Sequence, residues 1–135
     1  MPHFTLEYSS NISKKKLAAK ELFAKLHETA ANTAGNFPTK GMRSRAFKSK
    51  DFYVADGNPD HMFVHLSVKI GVGRSQEERE IAAKDLFAVL TEHFASSFEE
   101  RGVAMSFEMT ELEAITKFNK NNVGDYMGNS VGESA

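Results

Sequence analysis

Residues 20–24 read Lys-Glu-Leu-Phe-Ala, and residues 84–88 read Lys-Asp-Leu-Phe-Ala. The offset of 64 residues (84 − 20) persists outside the pentapeptide. Leu17, Ala18, Ala19, Leu22, Phe23, Leu26 and Ala30 align with Ile81, Ala82, Ala83, Leu86, Phe87, Leu90 and Phe94. Both sets recur at the spacing of one helix face. A pentapeptide can repeat by chance, whereas a whole apolar stripe kept in register reads as an internal duplication.

The spacing predicts helices over about 13–33 and 75–101. Ser75-Gln76-Glu77-Glu78 has the form of a capping box, a Ser oxygen for a free backbone N–H and a Glu three residues on. Asn11 or Ser13 is suited to cap the first helix. Strands flank both helices. Phe4, Leu6 and Tyr8 alternate with polar residues, as do Met62, Val64, Leu66, Val68 and Ile70. Val103, Met105, Phe107 and Met109 repeat the pattern after the second helix. Gly41–Phe47 is a weaker strand carrying two arginines, and a short strand is expected around 52–55, before the turn Asp56-Gly57-Asn58-Pro59.

The order is β-α-β followed by β-α-β, and right-handed crossovers place both helices on one side. The expected class is α+β, with duplicated β-α-β units forming a four-stranded sheet and two helices on one face. The other face carries His3, Thr5, Phe63, His65, Ser67 and Lys69. An oligomer is expected to bury it; a one-sided sheet facing water is the alternative. Residues 1–123 are expected to form a single domain, with units about 2–56 and 61–112. From about Asn119 onward the chain is rich in Asn, Gly and Ser, docked in part near 123–127, and residues 124–135 read as a flexible tail.

The composition narrows the function. The 135 residues include 17 Lys+Arg and 18 Asp+Glu, a net charge of −1. No cationic surplus is available to displace phosphate counterions, so a nucleic-acid partner is not expected. With 41% hydrophobic residues the chain has enough apolar surface for a core. There is no cysteine, hence no disulfide and no thiolate nucleophile. No apolar run approaches the roughly 18 residues that cross a bilayer, and Met1-Pro2-His3-Phe4 lacks the basic and apolar regions of a secretion signal. A soluble cytoplasmic protein without a membrane partner is expected.

Pro2 is the most informative single residue. A small second residue allows the initiator Met to be removed, leaving a secondary amine at the start of a core strand. Nearby cations or burial lower an amine's pKa and favour the neutral form, and a neutral pyrrolidine is a usable general base. Taken alone, Pro2 reads better as a residue that merely permits Met removal. Arg43 and Arg45 occupy alternate strand positions and share a face. Arg74, in Gly71-Val72-Gly73-Arg74-Ser75, sits where a strand meets a helix N-terminus, whose free N–H groups and partial positive charge suit an anion. For Arg43 and Arg74 an anion site and a solvated charge are both open; Arg45 reads as a surface charge. The Gly71–Gly73 stretch lacks the third glycine of a dinucleotide fingerprint. None of the five histidines has metal-ligand spacing, and His61 and His65, four apart on a strand, lie roughly 13 Å apart. No metal site is expected.

Several separated motifs, in order, carry a family resemblance: Met1-Pro2-His3-Phe4, Phe37-Pro38, Gly41-Met42-Arg43-Ser44-Arg45, Ala55-Asp56-Gly57, Phe63-Val64-His65, Lys69–Ser75, Ser106-Phe107-Glu108 and Asn121-Asn122-Val123. Over roughly residues 2–123 the chain resembles 5-carboxymethyl-2-hydroxymuconate isomerases of the tautomerase superfamily. The resemblance implies a tautomerase-like fold, a homotrimer, and one proline site per subunit. It implies Pro2 as catalytic base and Arg43 and Arg74 as residues that bind carboxylates or stabilise charge, with Arg45 matched but less defined. It implies cofactor-independent keto-enol tautomerisation of an unsaturated dicarboxylate in homoprotocatechuate degradation. Two other classes stay open: a related proline-dependent dehalogenase or decarboxylase, for which Glu108 and Glu111 are the carboxylates to test, and a non-enzymatic oligomeric binding module.

Overall fold

Phe4, Leu6 and Tyr8 alternate with less buried neighbours along β1 (His3–Ser9), and the same alternation runs through β3 (Met62–Ile70). β1 and β3 are the two central strands of a four-stranded sheet ordered β2-β1-β3-β4. They pair antiparallel, with Leu6 opposite Leu66 and Phe4 opposite Val68. β2 (Arg43–Ser49) lies parallel to β1, and β4 (Val103–Glu111) lies parallel to β3. Each parallel pair is one β-α-β unit. The computed structural model describes residues 1–128.

The crossovers are α1 (Lys14–Leu17) with α2 (Ala19–Asn32) in the first unit, and α3 (Gln76–His93) with α4 (Ala95–Glu100) in the second. Leu22, Leu26 and Ala30 of α2 and Ala82, Leu86 and Leu90 of α3 are fully buried in one cluster with the inward side chains of β1 and β3. Both helices therefore cover one face, as the duplication predicts. Each buried Leu or Phe contributes about 1.5–3 kcal/mol, so this shared layer holds the two units together. The opposite face, with His3, Thr5, Phe63, His65 and Ser67, is half-buried at most.

Three details differ from the sequence-based expectation. The first helix is not continuous over 13–33. Ala18 takes a left-handed conformation (φ 40°, ψ 58°) and separates α1 from α2. This rotates Leu17 into the core, where it is 5% exposed, while its repeat counterpart Ile81 is 42% exposed. A non-glycine residue in that region costs about 1–2 kcal/mol, and the burial of Leu17 offsets it. The second helix similarly breaks at Phe94 (φ −104°, ψ 18°), whose ring is buried at the junction with α4. The 64-residue register thus survives at Leu22/Leu86, Leu26/Leu90 and Ala30/Phe94 but not at Leu17/Ile81.

No strand forms at 52–55. Gly57 N–H donates to Val54 O, Ala55 has φ 53°, and Tyr53 is 79% exposed. β1 lies between β2 and β3, so this stretch must cross the end of β1 rather than pair beside it. Ser13 caps α1 by accepting from Lys16 N–H, whereas the Asn11 amide donates to the carbonyls of Pro59 and His61. At the other end of the chain, Val123–Tyr126 forms a 3-10 turn, and the Asn121 amide donates to Lys40 O at 2.9 Å. Of the expected tail, residues 129–135 lie outside the described residues. Among the described residues no helix is long and apolar enough to cross a membrane.

Candidate active site

Parallel pairing of β1 with β2 sets His3 opposite Arg43 and Thr5 opposite Arg45. The ladder extends one residue earlier, because Arg43 N–H donates to Pro2 O at 3.1 Å. Proline fits this first position since no N–H is required of it. Its ring is fully buried among Ala30, Phe37, Val68, Ile70 and Leu86. With Met1 attached, the Pro2 nitrogen is an amide, and the free amine belongs to Met1. That amine is packed against the backbone of Gly41: a Cβ there would stand 2.9 Å from the Met1 nitrogen. Only glycine admits so close an approach.

The Met1 amino group lies in a cationic, partly desolvated place. Burial holds its pKa below the ordinary 8.0, followed by repulsion from Arg74, Arg43 and Lys117. Both effects disfavour the protonated amine. The structure thus brings Arg43 and Arg74 to act on the same terminal amine, beside Pro2.

Arg74 is fixed by two contacts. Its Nε donates to Gly35 O at 2.9 Å, and its guanidinium carbon lies 3.9 Å from the centre of the Phe37 ring. Gly35 has φ 89°, and a Cβ there would stand 2.8 Å from Arg74 Cδ, so this residue cannot carry a side chain without displacing the arginine. The α3 N-terminus contributes less than the sequence suggests. Ser75 and Glu78 close a capping box, Ser75 N–H to Glu78 Oε1 at 2.9 Å and Glu78 N–H to Ser75 Oγ at 3.1 Å. Glu77 and Glu78 also place negative charge in the first turn. An anion site at this junction would therefore rest on the guanidinium rather than on the helix end.

Arg43 Nη1 lies 3.3 Å from His3 Nε2, and Arg45 Nη1 lies 3.1 Å from His3 Nδ1. A neutral imidazole has one lone pair to offer, so it accepts from only one of the two arginines at a time. Burial, then Arg43, Arg45, the chain terminus and Lys69, hold the His3 pKa below 6.5, which keeps the ring neutral. Arg43 is half-buried near the amine; Arg45 is exposed and one step farther along β2.

Two clefts meet at Met1. One, of about 440 Å³, is lined by Met1, His3, Arg43, Lys117 and Phe118. The other, of about 320 Å³, is lined by Met1, Pro38, Lys40, Gly41 and Asn121. A larger cleft of about 720 Å³, bordered by Tyr8, Ile12, Leu17 and Ala46, lies at the far end of β1 and contains none of the candidate residues. Lys117 escaped the sequence reading, as did the site roles of His3 and Phe37, which appear there only as motif or sheet-face residues. Lys117 lies in an irregular stretch with no periodicity to expose it, and the role of His3 follows only from strand register.

Glu108 Oε1 lies 3.3 Å from His65 Nε2 on the open sheet face, and Glu111 faces Arg79 at 3.9 Å. Neither lines the clefts at Met1. Among the described residues no group of three or more His, Cys, Asp or Glu could hold a metal ion.

Comparison with known proteins identifies the family and the fold. Residues 2–127 match the family model of 5-carboxymethyl-2-hydroxymuconate isomerase. The chain is 44% identical, over 123 residues, to the 5-carboxymethyl-2-hydroxymuconate Delta-isomerase of Escherichia coli, covering 91% of this chain and 96% of that one. Its fold is similar to the crystal structure of a 5-carboxymethyl-2-hydroxymuconate isomerase from Deinococcus radiodurans R1, with TM-score 0.85 and 38% identity over 93% of this chain and 92% of that one. A macrophage migration inhibitory factor-like protein from Entamoeba histolytica shares the fold alone, with TM-score 0.61 at 13% identity over 90% and 96% of the two chains.

Proposed function

The chain belongs to the 5-carboxymethyl-2-hydroxymuconate isomerase family and is an isomerase, and we propose that it performs keto-enol tautomerisation of an unsaturated dicarboxylate with the amine of Pro2 as the base. The observation that carries this reading is the place of the Met1 amine, next to Pro2, partly desolvated and under the charge of Arg74 and Arg43. Removal of Met1 converts the Pro2 nitrogen from an amide into a secondary amine and opens the place where the two clefts lined by Met1 meet. Pro2 then takes the proton of the 2-hydroxyl as the enol collapses to a 2-oxo group. The double bonds shift, and the same proton is delivered to a carbon farther along the chain. One O–H bond breaks and one C–H bond forms, so the composition is unchanged and no oxidant or co-substrate is consumed. Arg43 and Arg74 hold carboxylates and draw electron density toward the developing oxo group, at strength because the site is partly desolvated.

The same reading places the protein in the cytoplasm, in homoprotocatechuate degradation, with residues 1–123 acting as one domain and the chain as a homotrimer. The uncovered sheet face with His3, Thr5, Phe63, His65 and Ser67 supports an assembly that buries it. The test is the ultraviolet assay of dienol isomerisation on wild type and Pro2→Ala, with the terminal residue of each sample determined by mass spectrometry. Processed wild type is expected to turn over and Pro2→Ala to lose on the order of 10²-fold or more. Full activity in a chain that retains Met1 sinks the proline mechanism.

A further inference from the structure

After β4 the chain returns to the amino terminus. Leu112, Glu113, Thr116, Lys117, Phe118 and Asn119 line the same cleft as Met1, His3 and Arg43. Lys117 is half-buried there. Its Nζ comes within 3.7 Å of where a Cβ on Gly71 would stand, in the loop that carries Arg74. Among the described residues the ion pairs are Lys16–Glu100, His61–Asp56, His65–Glu108 and Arg79–Glu111, so no carboxylate neutralises Lys117. Arg43 and Lys117 thus share the cleft of the terminal amine, and Arg74, from the loop before α3, acts on the same amine without lining that cleft. Their mutual repulsion is relieved by an anion that carries more than one carboxylate.

We propose that Lys117 is a third anion-binding residue of this site, taking one substrate carboxylate while Arg43 and Arg74 act together on the other carboxylate and the developing oxo group, and so selecting polycarboxylate dienols over monocarboxylate ones. The inference rests on the tautomerase reading and deepens it. An ammonium on a flexible four-carbon stem suits this task, because it meets an oxygen without the planar fit an arginine demands. The irregular stretch that carries Lys117 becomes a wall of the site. Lys117 also acts on the terminal amine together with Arg74 and Arg43. His3 and Glu113 share the cleft, and Lys40 and Asp125 face Met1 from the other side.

The test compares wild type, Lys117→Gln, Lys117→Arg and Lys120→Gln, an exposed control on the same stretch, using 2-hydroxymuconate and the monocarboxylate 2-hydroxypenta-2,4-dienoate. Lys117→Gln is expected to lose about tenfold or more in kcat/KM on the diacid, mainly through KM. Its loss on the monoacid is expected to stay under about threefold, Lys117→Arg recovers most of the diacid rate, and Lys120→Gln matches wild type. The acid limb of kcat/KM should also move to higher pH in Lys117→Gln, because one cation that depresses the amine is gone. Equal losses on both substrates, or no loss on the diacid with wild type active, overturn the role of Lys117 alone. Wild type inactive on both dienols overturns the tautomerase reading and this inference with it.

Discussion

Arg74 is held against Phe37, its guanidinium carbon 3.9 Å from the ring centre, while its Nε is spent on Gly35 O. Among the described residues its two terminal nitrogens have no hydrogen-bond partner, which leaves them for an anion. A cation over an aromatic face is worth about 0.5–2 kcal/mol. Phe37→Leu is therefore expected to raise KM for a dicarboxylate roughly 3- to 30-fold, with a smaller change in kcat. Phe37 is also buried in the core, so thermal denaturation should record a loss of stability beside the kinetic effect. Unchanged KM would show that the platform does not position the arginine.

The terminal amine predicts a pH profile. In the chain that keeps Met1, the pKa of its amine is lowered from 8.0 by burial, Arg74, Arg43 and Lys117. Once Met1 is removed, the Pro2 amine stands beside the same cations and is expected to be depressed for the same reason. As base it must be neutral, so kcat/KM should be full above its depressed pKa and fall as pH drops through it. Arg74→Gln should move that acid limb upward. For the chain that keeps Met1 the stability linkage has the same sign: the unfolded chain binds the extra proton in the window between the lowered value and 8.0, so stability rises with pH across that window and is lost below it. A limb that stays in place in Arg74→Gln would remove the arginine from the environment of the amine.

Gly41 makes a prediction that depends on processing. A Cβ at this position would meet only Met1, at 2.9 Å from its nitrogen and 3.1 Å from its Cα. Gly41→Ala should destabilise a chain that keeps Met1 and leave the processed chain near wild type. Melting temperatures of the two forms, separated by mass, decide this. Equal destabilisation would mean that the glycine serves the backbone of the 39–41 turn instead.

Ala18→Gly should stabilise the protein. The left-handed residue between α1 and α2 costs about 1–2 kcal/mol as alanine, and glycine's greater unfolded-state freedom returns about 0.5–1 kcal/mol of that. A net gain of roughly 0.5–1 kcal/mol should appear as a higher urea midpoint with an unchanged slope. A lower midpoint would show that the break is held by more than Leu17.

The legible parts of this molecule were those with period. Leu22/Leu86 and Leu26/Leu90 are repeat partners because each must face the same layer, and the capping box at Ser75 and Glu78 needs only local spacing. Alternation in 62–70 announced a strand buried on one side. The break at Ala18 left no trace, because alanine has no left-handed preference and Leu17 also fits an unbroken stripe. The expected strand at 52–55 failed on topology, not propensity: its would-be neighbour is already paired on both sides. At the site, Arg43 and Arg45 were readable as a same-face pair. The histidine between them is visible only once β1 and β2 are in register, and Lys117 only once the end of the chain is folded back to its beginning.

The burial of the Pro2 ring and the bond from Arg43 N–H to Pro2 O set a deadline. A peptidase needs the first residues extended in its own cleft, and here they become the opening of a sheet ladder with Met1 wedged against Gly41. On the proline mechanism, excision is therefore expected to compete with folding of the nascent chain. A molecule that folds first is expected to be a stable, silent copy: methionine aminopeptidase should trim the urea-unfolded chain and spare the refolded one. The fraction of active protein in a cell would then report the outcome of a race on the ribosome, settled before any substrate is met.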